Sequence, residues 1–270
     1  MTVAMRHALK IAYDGTKFSG SQRQPKARTV DGECIFVLKK IGAIEGPDES
    51  RYRSASRTDA GVSAIGNVIA FDTDMGRQAL MGAFNSDVKD VWAWANAVVP
   101  DGFNPRNAVQ QWYRYYMPES TDIRRARAAS RLFEGTHDFK SFTRDKGNTV
   151  RMIESVRLSD DGGYPCFDIK GQSFLWGLVR RIVSCVTSYA SGEVSLDEIK
   201  KGLAGEKRDF GLAPPEPLFL MDVDDGIPFE FIFLKKIRTE IESNLERSRL
   251  DFARWALFAD KILREKSQSL

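Results

Sequence analysis

Residues 56–71 have the sequence SRTDAGVSAIGNVIAF, in which a polar turn containing glycine leads into an apolar run. The residue pattern near 51–55 and over 67–73 predicts two β-strands, and the residues SRTDAGVSA predict the turn that joins them. This stretch therefore predicts part of a β-sheet with a polar, charged loop attached to it.

The loop itself, RTDAGV at residues 57–62, has two interpretations. As ordinary structure, Thr-Asp-Ala-Gly is a β-turn in which the Asp59 side chain accepts a local hydrogen bond. As a functional site, it places Arg57 two positions before Asp59, where its charge would orient the carboxylate or contact a phosphate. The spacing by itself does not identify an active site.

Further elements surround this pair of strands in the first part of the chain. Residues 6–13 have an alternating pattern and are followed by Asp14 and Gly15, which predicts a strand that leads into a turn. Thr29 is placed to cap a helix that continues to Ile41. A short helix at 77–84 and a strand at 91–98 follow.

The loop PDGFNPRN at residues 100–107 is the predicted boundary between two domains, 1–105 and 106–270, because its Pro, Gly and Asn interrupt helix and strand alike. Beyond it, the pattern predicts a strand at 111–117, a helix at 120–133, a hairpin of 152–158 with 166–170, helices at 173–191 and 196–203, a strand at 218–223 and a long helix at 235–266. The order of elements predicts an α+β fold of two similar halves, each a mainly antiparallel sheet backed by helices.

Composition narrows the possible functions. No apolar run approaches the roughly 20 residues that a membrane-spanning helix needs, and the N-terminus lacks the pattern of a signal peptide. The three cysteines (Cys34, Cys166 and Cys185) are far apart and form no CxxC pair. This usage is typical of free buried thiols in a reducing compartment, so the predicted location is cytoplasmic.

Several kinds of catalytic site are also excluded. The chain has only two histidines, His7 and His137, and no phosphate-binding or dinucleotide-binding glycine motif. Catalysis would therefore depend on carboxylate, tyrosine or lysine, with arginine in support.

Basic residues are clustered, although 40 basic and 37 acidic residues give a net charge of only +3. The clusters are Arg124, Arg125, Arg127 and Arg131; Arg144, Lys146 and Arg151; and Arg180 with Arg181. One such cluster is often only a solvated face, whereas three of them favour a polyanionic partner.

Six motifs then occur in one order along the chain. They are YDGTKFSGSQRQP (13–25), SRTDAGVSAIGNVIAF (56–71), FNPRN (103–107) with YRY (113–115), GTHDFKSFTR (135–144), GQSFLWGLVRRIV (171–183) and PEPLFL (215–220). With these motifs the chain resembles the TruA family of transfer-RNA pseudouridine synthases from about Leu9 to Val223. The resemblance implies the pseudouridine synthase fold, with the active-site cleft between the two halves.

The same resemblance implies roles for individual residues. Asp59 would be the catalytic carboxylate, acting as nucleophile on sugar or base or as base at C2′. Arg180 would pair with Asp59. Tyr113 would stack on the uracil and take part in removing the C5 proton, although by pattern alone it is a packing aromatic.

Substrate contacts follow in the same way. Arg57 would contact the RNA, and Leu218 would line the pocket with Val179. Exposed arginines would contact the RNA backbone, namely Arg124, Arg127 and Arg144. The implied substrate is tRNA at positions 38 to 40 of the anticodon stem-loop, bound across a homodimer. The isomerisation requires no cofactor and no metal.

The chain departs from the family pattern at several positions. Ser56, Ser63 and Ser21 stand where the family usually has glycine, histidine and tryptophan. Ser184 and Pro217 are smaller departures. None replaces a proposed catalytic group, and the lost tryptophan and histidine concern RNA contacts.

Three alternatives accompany this interpretation. A non-catalytic RNA-binding protein of the same fold would be expected to lack one of Asp59, Tyr113 and Arg180. An acid-dependent hydrolase or lyase would need a second carboxylate near Asp59, and the sequence offers none. A pseudouridine synthase with another tRNA target site would differ in its variable loops.

Overall fold

A computed structural model describes residues 4–232 and 235–265, with side chains described as far as residue 254. The strands are β1 (Met5–Tyr13), β2 (Arg53–Ser54), β3 (Ser63–Thr73), β4 (Val91–Val98), β5 (Gln110–Tyr116), β6 (Gly135–Asp138), β7 (Val150–Asp161), β8 (Tyr164–Gly171), β9 (Leu218–Asp224) and β10 (Glu230–Phe231). The α-helices are α1 (Val30–Lys40), α2 (Arg77–Asp87), α3 (Ile123–Ser130), α4 (Leu178–Ser191), α5 (Leu196–Leu203) and α6 (Lys235–Glu265).

The strands form a mainly antiparallel sheet in the order β10-β4-β1-β3-β9-β5-β8-β7-β6, with β2 paired to β3. One group of strands surrounds β1 and β3, and the other surrounds β5 and β8. A short parallel pairing joins the two groups, with Ser63 opposite Phe219 and Ala64 opposite Leu220. The predicted α+β class, with mainly antiparallel strands backed by helices, is confirmed, but the two groups of strands belong to one continuous sheet and not to two.

This junction lies next to the loop that carries Asp59. The β3 strand starts at Ser63, four residues earlier than the predicted 67, because Ser63 and Ala64 already pair with neighbouring strands. The predicted strand near 51–55 is reduced to β2, of only two residues. The loop that carries Asp59 therefore ends at the seam between the two strand groups.

Contacts divide the chain into two units, residues 1–232 and 233–270. The first unit holds the sheet and α1 to α5, and the second holds α6. The long C-terminal helix is present, although position 266 of the prediction lies outside the described residues. The domain boundary at residue 105 stays a prediction.

Two predicted helix starts were wrong. The helix predicted over 120–133 begins at Ile123, because the Asp122 side chain accepts hydrogen bonds from two backbone amides and caps it there, and residues 131–133 form a 3-10 turn. The helix predicted over 173–191 begins at Leu178. Gly177, at φ +68°, lies in the left-handed region that glycine favours and that a continuous α-helix excludes. Residues 173–177 are therefore a loop.

Other predictions agree with the structure. Thr29 caps α1, its hydroxyl accepting from the Gly32 amide at 3.2 Å. The predicted hairpin is β7 and β8, joined at Gly162 and Gly163. The three cysteines are free and buried. Within the described part of the chain, no helix has both the length and the apolarity needed to span a membrane.

Candidate active site

The backbone on both sides of Asp59 is held by buried hydrogen bonds. Ser21 contacts Thr58 twice, since its hydroxyl accepts from the Thr58 amide at 2.8 Å and its amide donates to the Thr58 carbonyl at 3.0 Å. After Asp59 the chain turns at Gly61, with φ +86°, and the Val62 amide donates to the Asp59 carbonyl at 3.1 Å. The loop is therefore fixed before any substrate arrives.

Asn67, on β3, holds the other end of this loop. Its amide side chain accepts from the Ser56 backbone amide at 3.2 Å and donates to the Ser56 carbonyl at 3.0 Å. The Tyr13 hydroxyl lies 2.8 Å from Thr58 Oγ1. All four side chains are buried, so these bonds are shielded from competing water.

Asp59 and Arg180 form an ion pair at the centre of the site. Arg180 Nη1 lies 2.6 Å from Asp59 Oδ2, and the two side chains are 12% and 20% exposed. Arg180 Nε also donates to the Ala213 carbonyl at 2.7 Å. The guanidinium of Arg180, in the first turn of α4, is thus fixed by the Ala213 carbonyl and oriented toward the Asp59 carboxylate.

A second donor reaches the same carboxylate. Trp176 Nε1 donates to Asp59 Oδ1 at 2.8 Å. Trp176 had no predicted role, although GQSFLWGLVRRIV places it four residues before Arg180, a spacing that brings side chains to one face of a helix. In the structure Trp176 precedes the helix, and the loop brings it to Asp59.

Tyr113 lies on β5 and is only 6% exposed. Its hydroxyl is 2.7 Å from Ser56 Oγ, and its ring packs edge-on against Phe174 at 5.2 Å between centroids. Burial raises the pKa of Tyr113 to about 12; the Asp59 charge adds to this rise and the Ser56 hydrogen bond opposes it. The phenol is therefore protonated at neutral pH.

These groups line one cavity of about 920 Å³, large enough for a nucleotide. Leu218 and Val179, both buried, form apolar wall as the resemblance implied. Arg57 and Arg106 also line it, and both are exposed. Arg106 was not among the predicted site residues, although it lies in the FNPRN motif. The cavity thus combines an ionised pair, a buried phenol, apolar walls and peripheral positive charge.

Three of the predicted RNA contacts lie outside the cavity lining. Arg124 and Arg127 are exposed on α3, and Arg127 reaches the Leu158 carbonyl at 3.4 Å. Arg144 is also exposed, with its guanidinium 5.9 Å from the centre of the Trp176 ring. Their roles in binding RNA stay predictions.

One of the three basic clusters does not form a free positive surface. Arg180 is bound to Asp59, and the buried Arg181 donates to Asp209 Oδ1 at 2.8 Å. The two residues are neighbours in the first turn of α4, but each side chain has its own acidic partner. Neither guanidinium of this cluster is therefore an unpaired positive charge.

Three of the departures from the family pattern make structural contacts in the site, and the bond from Ser56 to Tyr113 is described above. The Ser63 hydroxyl accepts from the Gly15 amide at 3.0 Å, and Ser21 fixes Thr58 as described above.

Among the residues that the structure describes, no group of three or more His, Cys, Asp or Glu side chains is arranged to hold a metal ion.

The chain is similar in sequence to known proteins. A family model described as tRNA pseudouridine synthase matches residues 129–224. The tRNA pseudouridine synthase A of Pyrococcus furiosus is 42% identical over 271 residues, which cover 97% of this chain and 99% of its own. The proteins of the same name from Thermococcus sibiricus and Methanosarcina acetivorans are 42% and 43% identical, covering 96% and 84% of this chain and 99% and 87% of their own. The similarity therefore extends over whole chains.

Proposed function

This chain belongs to the tRNA pseudouridine synthase family, an isomerase family that converts uridine to pseudouridine, and we propose that it acts at positions 38 to 40 of the anticodon stem-loop of tRNA. The observation that carries the proposal is the Asp59–Arg180 ion pair at the centre of a nucleotide-sized cavity. The position on tRNA is supported by the order of the six motifs.

The reaction is an isomerisation with balanced bonds. The bond from N1 to ribose C1′ breaks, the base turns, C5 bonds to C1′, the C5 proton leaves and N1 gains a proton. Nothing is oxidised or hydrolysed, so we propose that the reaction uses no cofactor and no metal. The target base must first leave its stack and enter the cavity.

Asp59 is the proposed catalytic carboxylate, as nucleophile on sugar or base or as base at C2′. Each role needs an ionised oxygen held close to the nucleotide and away from bulk water. The Arg180 guanidinium fixes the direction of the carboxylate. The buried loop bonds keep the carboxylate in place while the base turns.

Tyr113 is proposed to hold the uracil and to assist the late loss of the C5 proton. A phenol that is neutral at pH 7 is not itself a strong base. It can act in a relay, in which its oxygen accepts the C5 proton, its own proton passes to Ser56 Oγ, 2.7 Å away, and the Ser56 proton passes to water in the cavity that Ser56 lines. Leu218 and Val179 would exclude water from the same space.

Binding of the RNA is assigned to exposed arginines. Arg57 lines the cavity and is placed to hold a phosphate next to the extruded nucleotide. Arg124, Arg127 and Arg144 would contact the tRNA backbone farther from the reacting base. We further propose a cytoplasmic homodimer, for which the family resemblance and the free thiols are the support.

Tritium release from [5-³H]uridine-labelled tRNA tests the reaction. We expect release by the native protein and none by Asp59→Ala. The matched control is Asp74→Ala, which removes an exposed carboxylate after β3, outside the cavity lining. RNA binding without release by the native protein would instead establish the non-catalytic RNA-binding alternative.

Mapping the modified nucleotides tests the target site. A tRNA transcript with uridines at 38, 39 and 40 is reacted, and pseudouridines are located by carbodiimide labelling and primer extension. Modification at these positions is expected. Modification only elsewhere on the tRNA would establish a synthase with another target site.

A further inference from the structure

Both oxygens of the Asp59 carboxylate are already bound in this structure. Oδ2 accepts from Arg180 at 2.6 Å and Oδ1 accepts from Trp176 at 2.8 Å. Each carboxylate oxygen keeps a second lone pair, but the indole and the guanidinium occupy the space on one side of it. Movement of one of the two donors would open one oxygen of Asp59 more fully to an atom of the substrate.

Arg180 is the fixed donor. Its side chain is 12% exposed and belongs to the first turn of α4. Its Nε is bound to the Ala213 carbonyl at 2.7 Å, so rotating the guanidinium would break two bonds of a largely buried charge.

Trp176 is the donor that can move. The residue is 54% exposed, and its side chain leaves the loop that ends at Gly177. Its backbone is held at both ends, because its amide donates to Asp145 Oδ2 at 3.0 Å and its carbonyl accepts from Thr143 Oγ1 at 3.1 Å. Rotation of the side chain alone would free Asp59 Oδ1.

The surroundings of the ring suit a nucleotide. Trp176 lines the cavity, and the Arg144 guanidinium lies 5.9 Å from the ring centre. An exposed aromatic face beside a cationic group is the arrangement that binds unstacked bases and the phosphates attached to them.

We propose that Trp176 is an exchangeable partner of Asp59, bound to the carboxylate in the free enzyme and stacked on an unstacked base of the target strand in the complex. The proposal rests on the proposed function and assigns to Trp176 a positioning role in it. Loss of the indole hydrogen bond is offset by stacking, so the carboxylate is released only when RNA occupies the cavity.

Two substitutions separate the hydrogen bond from the ring. Trp176→Phe keeps an aromatic face and removes the N–H, and Trp176→Leu removes the aromatic face. The matched control is Trp112→Phe, which removes a similar bond, from the indole to Asp168 Oδ1 at 2.7 Å, outside the cavity. Because Trp176 is exposed, the melting temperature should stay near that of the native protein, which checks folding.

Three quantities are measured with an unmodified tRNA transcript that has uridines at 38 to 40. They are the dissociation constant by filter binding, the single-turnover rate of tritium release, and the tryptophan fluorescence on addition of tRNA. We expect tRNA to quench the native protein and most of this change to be absent from Trp176→Phe. Trp176→Phe should bind within about 3-fold of the native protein and react as fast or faster, whereas Trp176→Leu should bind roughly 10-fold more weakly.

Contrary results are equally distinct. A fall of about 100-fold in the rate of Trp176→Phe at unchanged binding would show that the N–H stays on Asp59 through the reaction. Unchanged binding by Trp176→Leu would show that no base stacks there. If the native protein released no tritium, the proposed function would fail, while binding and fluorescence would still test the stacking of Trp176.

Discussion

Arg180 Nη1 and Asp59 Oδ2 lie 2.6 Å apart although 121 positions separate the two residues in the sequence. The contact crosses the seam of the sheet, because Asp59 precedes β3 and Arg180 follows β8 at the start of α4. The proposed active site is thus assembled where the two groups of strands join. Any change that loosens this seam should affect catalysis before it affects RNA binding.

Arg180→Lys keeps a positive charge but loses the planar group that contacts Asp59 and the Ala213 carbonyl together. We expect kcat to fall ~100-fold with KM for tRNA nearly unchanged, since the lost contact orients the carboxylate rather than the RNA. Steady-state tritium release measures both constants. Arg181→Lys is the neighbouring control, because Arg181 pairs with Asp209; an equal loss of kcat in this control would contradict the prediction.

The Ser56–Tyr113 hydrogen bond can be tested by a double-mutant cycle. Ser56→Ala and Tyr113→Phe each remove one partner of a buried 2.7 Å bond. We expect a coupling of about 1 kcal/mol in the free energy of unfolding, because the first substitution leaves the other hydroxyl without this partner. Urea unfolding of the four proteins measures it. Ser130→Ala removes a buried hydroxyl that bonds to the Arg127 carbonyl instead, and its effect should add to that of Tyr113→Phe without coupling.

The raised pKa of Tyr113, about 12, predicts loss of stability at alkaline pH. A tyrosine in the unfolded chain loses its proton near pH 10, so between about pH 10 and 12 the unfolded state binds fewer protons than the folded state. The contribution is therefore complete below pH 10 and decreases as the pH rises toward 12, by at most ~3 kcal/mol. Tyr113→Phe removes this contribution. Tyr13 and Tyr52 are present in both proteins, so their contributions cancel in the difference between the two free energies of unfolding.

Urea unfolding of the native protein and Tyr113→Phe at about pH 9, 10 and 11 measures this difference. The free energies of unfolding should converge as pH rises, apart from a constant offset due to the lost hydroxyl. A difference that stays constant over this range would show that the folded protein ionises Tyr113 as readily as the unfolded chain does.

Prediction from the sequence was most accurate for features that depend only on residues close together in the chain. Thr29 caps its helix, and Gly162 with Gly163 closes the β7–β8 hairpin, because each depends on near neighbours only. The start of α4 was mispredicted for a related reason. Residues 173–176 are as apolar as the helix that follows, and only the backbone of Gly177 shows that the helix has not yet begun.

Contacts between segments that are distant in the chain could not be predicted from the residue pattern. Asp59, Tyr113 and Arg180 were assigned through the family motifs, and the structure brings all three to one cavity. Nothing in the spacing indicated that Ser56 would meet Tyr113 or that Trp176 would meet Asp59. The short strands β6 and β10 were missed because each is defined by the neighbour with which it pairs.

Gly15 is predicted to be essential to the shape of the Asp59 loop. A Cβ at Gly15 would lie 2.0 Å from the Val62 carbonyl oxygen, and the Val62 amide is bound to the Asp59 carbonyl. We expect Gly15→Ala to lower the free energy of unfolding by about 2 to 4 kcal/mol and to reduce kcat, because the backbone after Asp59 must move. Gly82→Ala is the control, since nothing lies near that Cβ in α2 and alanine should stabilise the helix by about 1 kcal/mol. Equal stability of the two variants would contradict the prediction.

The α3 arginines should contribute to binding through charge alone. Replacing both Arg124 and Arg127 by glutamine removes two exposed positive charges from a face outside the cavity. If each contacts one phosphate, the slope of log K against log salt should become shallower by about 1.5 to 2, with kcat unchanged at saturating tRNA. Filter binding at several salt concentrations measures the slope.

The control for this last prediction removes the same amount of charge elsewhere. Lys39→Gln with Lys40→Gln takes two exposed charges from the end of α1, where Lys40 pairs with Asp87. We expect this double variant to keep the native salt slope, because only contacts with phosphates release counterions. Equal slopes for the two double variants would mean that α3 does not contact the tRNA backbone. A loss of kcat in the α3 variant would mean that its arginines also orient the anticodon arm toward Asp59.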